Sequence, residues 1–235
     1  MYVYADNAAT TRVSKTAVEA MLPYFTEIYG NPSSLHSVGQ EAKEALESAR
    51  ERIAAHLGCQ AREIYFTSGG TEADNMAIRT AAALGAGIYG VILAAFLLFR
   101  PFIDLDAIAS DLLGKEGIRR ENFLWASLYI SIVNSGLEEL LFRGLGYLEL
   151  RKFASEPFAM VASAAAFAAY HIAILDGWFS WWMYALCMLG LFLGGLIFNF
   201  LDRRGSILPG WLAHAAANLA INTIGAMMYG FVPVP

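Results

Sequence analysis

The sequence predicts a mainly α protein: a polytopic transmembrane helix bundle of about five spans, preceded by a small, incomplete α/β segment in the cytosol. Three observations lead there. Of 235 residues 57% are hydrophobic and only 16% charged, with mean hydropathy +0.46, a balance too apolar for an ordinary soluble globule. The charges are also uneven, 17 in the first 85 residues against 20 in the remaining 150. Finally, residues 81–99 form an uncharged run of 19, close to the ~20 residues that cross a bilayer core. The net charge of -5 is shared as -3 and -2 between the two parts, which gives no electrostatic footprint for nucleic acid. Cys59 and Cys187 lie far apart and form no CxxC pair, so no redox compartment is indicated. The N-terminus lacks a basic stretch followed by an apolar run and a cleavage site, so no signal peptide is expected and the N-terminus should lie in the cytosol.

The elements follow in order. Asn31-Pro32-Ser33-Ser34 is a turn and cap signal. Residues 40–57 keep Ala42, Ala45, Leu46, Ala49, Ile53 and Leu57 on one face, the pattern of an amphipathic helix ended by Gly58. Residues 63–67 (EIYFT) have the aromatic and β-branched content of a short strand running into Ser68-Gly69-Gly70, and a second helix should start at Thr71. Residues 2–4 could supply one more strand. Two short strands with few neighbours are marginal in water, so these first 80 residues are expected to be helical but poorly packed.

Residues 81–99 are the first predicted span. Residues 100–122 hold four basic and five acidic side chains and should be an extramembrane loop. Further apolar stretches cover residues 123–150, 157–175, 178–201 and 207–231. As one straight helix, 123–150 would be ~42 Å long, so it should tilt or bend near Gly136. Orientation is a tie by Lys/Arg count, with Arg151, Lys152, Arg203 and Arg204 on one side and Arg100, Lys115, Arg119 and Arg120 on the other. A cytosolic N-terminus breaks it, leaving the 100–122 loop outside.

Ionisable residues inside apolar spans cost several kcal/mol and mark function by default. They come in three groups here. In Glu138-Glu139-Leu140-Leu141-Phe142-Arg143, Glu139 and Arg143 are i,i+4 neighbours able to pair, which leaves Glu138 free for chemistry. Phe167-Ala168-Ala169-Tyr170-His171 puts an aromatic ring one turn before a histidine, and His214-Ala215-Ala216-Ala217-Asn218 puts imidazole and amide on one face of the last span. Any one group could be helix-packing glue. Together, a Glu, two His and an Asn are the parts that activate a water and stabilise an oxyanion.

EELLFR, FAAYH and HAAAN, in this order and each in a hydrophobic helix, resemble the EExxxR, FxxxH and HxxxN motifs of the CPBP intramembrane proteases, the CAAX-processing and Abi-type enzymes. The resemblance covers residues 86–235, taken here as a domain from 85. It implies an all-helical bundle in a membrane, expected to be the bacterial cell membrane, that cleaves small peptides or prenylated proteins surrounded by lipid. Carried over, Glu138 would be the base and His171 its partner in holding water. His214 with Asn218 would stabilise the oxyanion, while Glu139, Arg143 and Phe167 would give structural support. The family has been read both as zinc metalloproteases and as metal-free glutamate proteases. Glu138, His171 and His214 could hold Zn²⁺ with an open position, but no HExxH spacing argues for it, and metal stays open.

Residues 1–84 resemble the start of a different family, the pyridoxal-phosphate cysteine desulfurases of the class V aminotransferase fold. The matching stretches are Tyr4-Ala5-Asp6-Asn7-Ala8-Ala9-Thr10-Thr11, Gly30-Asn31-Pro32-Ser33-Ser34-Leu35-His36 and Ser68-Gly69-Gly70-Thr71-Glu72-Ala73-Asp74-Asn75. In that family Gly70 and Thr71 would offer a helix N-terminus to the cofactor phosphate. The family's Schiff-base lysine, stacking histidine, acid facing the pyridine nitrogen and loop cysteine all lie beyond this segment. Neither Lys15 nor Lys43 matches the lysine motif, and Cys59 does not match the nucleophile, so pyridoxal phosphate is not expected to bind productively. The chain thus looks like a truncated desulfurase start fused near residues 84–88 to a protease-like membrane domain, with its oligomeric state open.

Overall fold

The computed structural model describes residues 3–6 and 9–234. Tyr2 of the expected first strand, and Asn7 and Ala8 of the first desulfurase-like stretch, lie outside the described residues. The chain divides into two compact units, Met1–Gly70 and Thr71–Pro235.

The first unit holds α1 (Lys15–Met21), α2 (Pro23–Thr26), α3 (Ser37–Leu57) and a 3-10 turn, Ala61–Glu63. Its helix ends are chosen locally. Ser14 Oγ accepts from the Ala17 amide at 3.2 Å, His36 Nδ1 accepts from the Gly39 amide at 3.3 Å, and Gly58 closes α3 at φ +68, a conformation that glycine adopts without steric cost. The strand expected at residues 63–67 is absent, and no strand occurs among the described residues. Glu63 instead ends the 3-10 turn, its carboxylate accepting from the Gln60 amide at 2.9 Å. The Ile64 carbonyl accepts from Arg50 Nε at 3.2 Å, and Arg50 lies over the Phe66 ring at 5.2 Å. With no neighbouring strand to take its backbone groups, EIYFT stays irregular. Among described residues of this unit only Gly39 and Ala54 are buried, while Ile53 and Leu57 of the α3 apolar face are exposed.

The second unit comprises α4 (Gly70–Phe99), which begins at the boundary, then α5 (Leu105–Glu116), α6 (Phe123–Leu128), α7 (Ser135–Glu139), α8 (Glu156–Tyr170), α9 (Ile172–Leu175), α10 (Trp181–Asp202) and α11 (Leu208–Met228). Among the described residues three helical segments are long and apolar enough to cross a membrane: Gly70–Phe102, Glu156–Leu175 and Trp181–Asp202. The sequence led to about five. The other two stretches fall short for physical reasons. His214, Asn218 and Asn222 dilute the hydropathy of α11, and residues 123–150 carry Glu138, Glu139 and Arg143 and do not form one α-helix. In that stretch α7 is flanked by two π-helical segments, Tyr129–Asn134 and Leu140–Glu149. Side chains of α11 bond to backbone carbonyls of α6 and of the first π segment. Asn222 Nδ2 donates to Ser127 O at 3.1 Å, Asn218 Nδ2 to Ile130 O at 3.2 Å, and Trp211 Nε1 to Ile132 O at 3.1 Å.

Polarity in this unit is inverted relative to a water-soluble protein. Glu139, Arg143, Asn199 and Asp202 are fully buried, while Val91, Leu98, Leu189 and Ile197 are exposed, the arrangement expected where the solvent is hydrocarbon. Small residues bring α8 and α10 together: a Cβ added at Gly195 would lie 3.0 Å from Ala164 Cα, a small-residue contact of the kind that joins membrane helices. Polar groups seal the seam. Ser163 Oγ donates to Phe142 O at 2.7 Å, with Asn199 Oδ1 at 3.2 Å, and Asn199 Nδ2 donates to Met160 O at 2.8 Å.

Two outcomes follow. Gly195→Val should lower thermal stability in detergent by about 1–3 kcal/mol, the usual cost of forcing methyl groups into a filled contact, whereas Gly190→Val, whose Cβ would meet nothing within 4 Å, should leave it unchanged. Limited proteolysis in detergent should cut rapidly between Asn31 and Gly85 while residues 86–235 stay intact; uniform resistance would show that the first unit has a real core.

Candidate functional site

Being consecutive on α7, Glu138 and Glu139 point to different sides. His171 caps the C-terminus of α8, and His214 lies in the second turn of α11. The structure brings all four together. Glu138 Oε2 is 3.7 Å from His214 Nε2 and 3.9 Å from His171 Nε2, and it is a buried atom with no hydrogen-bond partner. Its other oxygen accepts from Asn134 Nδ2 at 2.6 Å, which fixes the carboxylate.

Both histidines are oriented through their far nitrogens. His171 Nδ1 lies 2.8 Å from Phe167 O and His214 Nδ1 2.7 Å from Glu139 Oε1. A carbonyl or carboxylate oxygen can only accept, so Nδ1 carries the proton in each neutral ring and the Nε2 lone pair faces Glu138. Glu139 therefore does more than the structural support expected of it, because one oxygen orients His214 while the other pairs with Arg143 Nε at 3.2 Å. Arg143 is fully buried, with its guanidinium 4.2 Å from the Phe167 ring centroid and 5.0 Å from that of Phe198. Phe167 stands edge-on to His171 and His214, at 4.7 and 5.5 Å, and Phe198 stacks on His214 at 5.3 Å.

Asn218 lies one turn beyond His214, with one amide hydrogen engaged by Ile130 O. Gly70 and Thr71 are exposed at the start of α4, where a Cβ added at Gly70 would meet nothing within 4 Å. Sequence reasoning missed Asn134, Phe198 and Asp202. Asn134 stands four residues before Glu138, a signal that was available. Asp202 lies just beyond the apolar stretch expected to end at residue 201, yet it is fully buried.

The donor set can be tested against zinc. Among the described residues no trio of His, Cys, Asp or Glu comes together as a metal site. The 3.7 and 3.9 Å edges exceed the roughly 3.3 Å that tetrahedral zinc with ~2.0 Å bonds imposes. As they stand, the three residues do not fit the ion. They suit a water molecule better, since two hydrogen bonds of about 2.8 Å easily bridge such edges.

Residues 3–93 match the aminotransferase class-V family, and residues 120–220 match the type II CAAX prenyl endopeptidase Rce1-like family. The first part is similar to the cysteine desulfurase IscS of Methanosarcina thermophila, 58% identical over 77 residues, which is 33% of this chain and 19% of that protein. It is also similar to the cysteine desulfurases of Nostoc sp., 54% identical over 79 residues (34% and 20% of the two chains), and of Rhodobacter capsulatus, 48% identical over 118 residues (50% and 30%). The chain thus spans about a fifth of the length of the first two. No solved structure matches. The class-V match runs to residue 93, past the expected junction at 84–88 and into α4.

Removing one partner of a buried ion pair strands the other charge, at about 3–5 kcal/mol. Arg143→Met should therefore lower thermal stability in detergent by that order, and adding Glu139→Gln should recover part of the loss.

Proposed function

We propose that residues 85–235 form an intramembrane endopeptidase of CAAX-processing type, acting on a prenylated protein or small peptide. The observation that carries this reading is the convergence of two histidine Nε2 atoms on one buried, unpartnered carboxylate oxygen, Glu138 Oε2. A water held between Glu138 and His171 gives a proton to Glu138 as its oxygen attacks the scissile carbonyl carbon. The tetrahedral oxyanion is met by His214 and Asn218. His214, neutral at rest with its proton on Nδ1, takes up a solvent proton on Nε2 as substrate binds and gives it back after product leaves, and the Glu139 carboxylate on Nδ1 stabilises that imidazolium. Asn218 has a second amide hydrogen beyond the one on Ile130 O. Glu138 then passes its proton to the leaving amine as the C–N bond breaks. Because the donor spacing is wide of a zinc site, no step is derived through a metal.

Further elements of this reading are a lipid-embedded bundle in the bacterial cell membrane with the N-terminus in the cytosol. The desulfurase-like first 84 residues would be inactive, since Gly70 and Thr71 offer a phosphate contact without the lysine, histidine and acid that the cofactor chemistry needs. A non-catalytic membrane scaffold or immunity protein is the rival reading, favoured by the internal contacts of Glu138 with Asn134 and of Glu139 with Arg143 and His214.

Full chain in detergent with a farnesylated CAAX peptide, and separately a leader peptide, provides the test. Glu138→Gln and His214→Ala should each lower kcat by about 10²–10⁴-fold, the usual contribution of a general acid or base, with insertion unchanged. Variants as fast as the parent would sink the proposal. Chelator should leave the rate unaltered, and inhibition reversed by added zinc would establish a metal route instead.

A further inference from the structure

Asp202 belongs to none of the three motifs, yet it is fully buried at the end of α10. Its Oδ1 accepts from the Gly210 amide at 2.7 Å, in the first turn of α11, where free N–H groups and the helix dipole favour an anion. Gly210 is shaped to this contact: a Cβ there would lie 2.4 Å from Asp202 Oδ2 and 2.8 Å from Cγ. Between them the chain reverses through Gly205 at φ +94. Gly210 stands four residues before His214, one turn below it on the same face. On α10, Phe198 is in turn four residues before Asp202, and it stacks on His214.

We infer that Asp202 is a positioning residue: by clamping the first turn of α11 to the end of α10, it sets the height and rotation at which His214 meets Glu139. The inference rests on the protease reading only for its consequence in turnover. Its physical content, the orientation of one imidazole, is independent of activity. Two properties of Asp202 can be separated. Asp202→Asn keeps an oxygen acceptor for the Gly210 amide and removes the charge, whereas Asp202→Ala removes both. Gly210→Ala keeps the acceptor and the charge and pushes the carboxylate away.

The test uses the full chain in detergent with ¹⁵N-labelled histidine. The chain has four histidines, and the His214 signals are assigned by their loss in His214→Ala. In the parent, His214 should show a single Nδ1-protonated tautomer. Asp202→Ala and Gly210→Ala should convert it to a tautomer mixture or broaden it, while Asp202→Asn should stay close to the parent. On the farnesylated peptide the first two should lower kcat at least tenfold with KM within twofold, and Asp202→Asn should fall no more than threefold. If Asp202→Ala fails to insert, Gly210→Ala decides. An unchanged His214 spectrum in an inserted Asp202→Ala or Gly210→Ala protein would overturn the inference, as would an Asp202→Asn spectrum as altered as that of Asp202→Ala. A parent inactive on every peptide but with the expected histidine response would remove the protease reading and leave this one standing.

Discussion

Arg143 is a charge that cannot reach water, and the ion pair and rings that confine it organise the second unit, since its guanidinium nitrogens are buried with no hydrogen-bond partner. It is fully buried beside Glu139 and under two aromatic rings. In a low-dielectric interior such a cation is tolerable only with anions and polarizable faces fixed around it. That requirement ties together residues far apart in sequence. Glu139 must face Arg143, which turns Glu138 away toward the histidines, and Phe167 must lie over the guanidinium, which sets the end of α8 and the direction of His171. Glu139 has a second oxygen to satisfy, and His214 meets it. The arginine's confinement and the geometry around Glu138 are one arrangement seen from two sides.

The same rule, that polar groups must find partners inside the chain, joins α11 to the stretch before Glu138. Asn222, Asn218 and Trp211 donate to Ser127 O, Ile130 O and Ile132 O, so these three side chains hold α6 and the first π segment, whatever chemistry the neighbouring His214 performs. Asn218 can serve both purposes because a carboxamide has two hydrogens.

Much of this was legible in sequence because the signals are periodic. The i,i+4 spacing of Glu139 and Arg143, of Phe167 and His171, and of His214 and Asn218 places each pair on one helix face. The change of solvent along the chain was visible in charge density alone. Other features were not legible, because they depend on partners that sequence order does not name. EIYFT has strand chemistry, but without a neighbouring strand the propensity has nothing to act on, and it lies irregular beside Arg50. Asp202 falls between the two apolar stretches 178–201 and 207–231, and only the close approach of Gly210 reveals that it is interior. Residues 123–150 are apolar enough to suggest a span, but π turns are set by tertiary demand and leave no simple period in the residues.

The two π segments also give the Glu138–Glu139 pair an unusual kind of independence. A π turn accommodates one residue more than an α turn, so each segment acts as a phase adjuster that absorbs an extra residue without disturbing the helix beyond it. With one on each side, the five residues of α7 can keep their rotational phase when either flank loses a residue and its π turn re-forms as α-helix. The acidic pair is thus buffered against single deletions in its own helix, where an uncompensated one-residue slip would swing both carboxylates through about 100°.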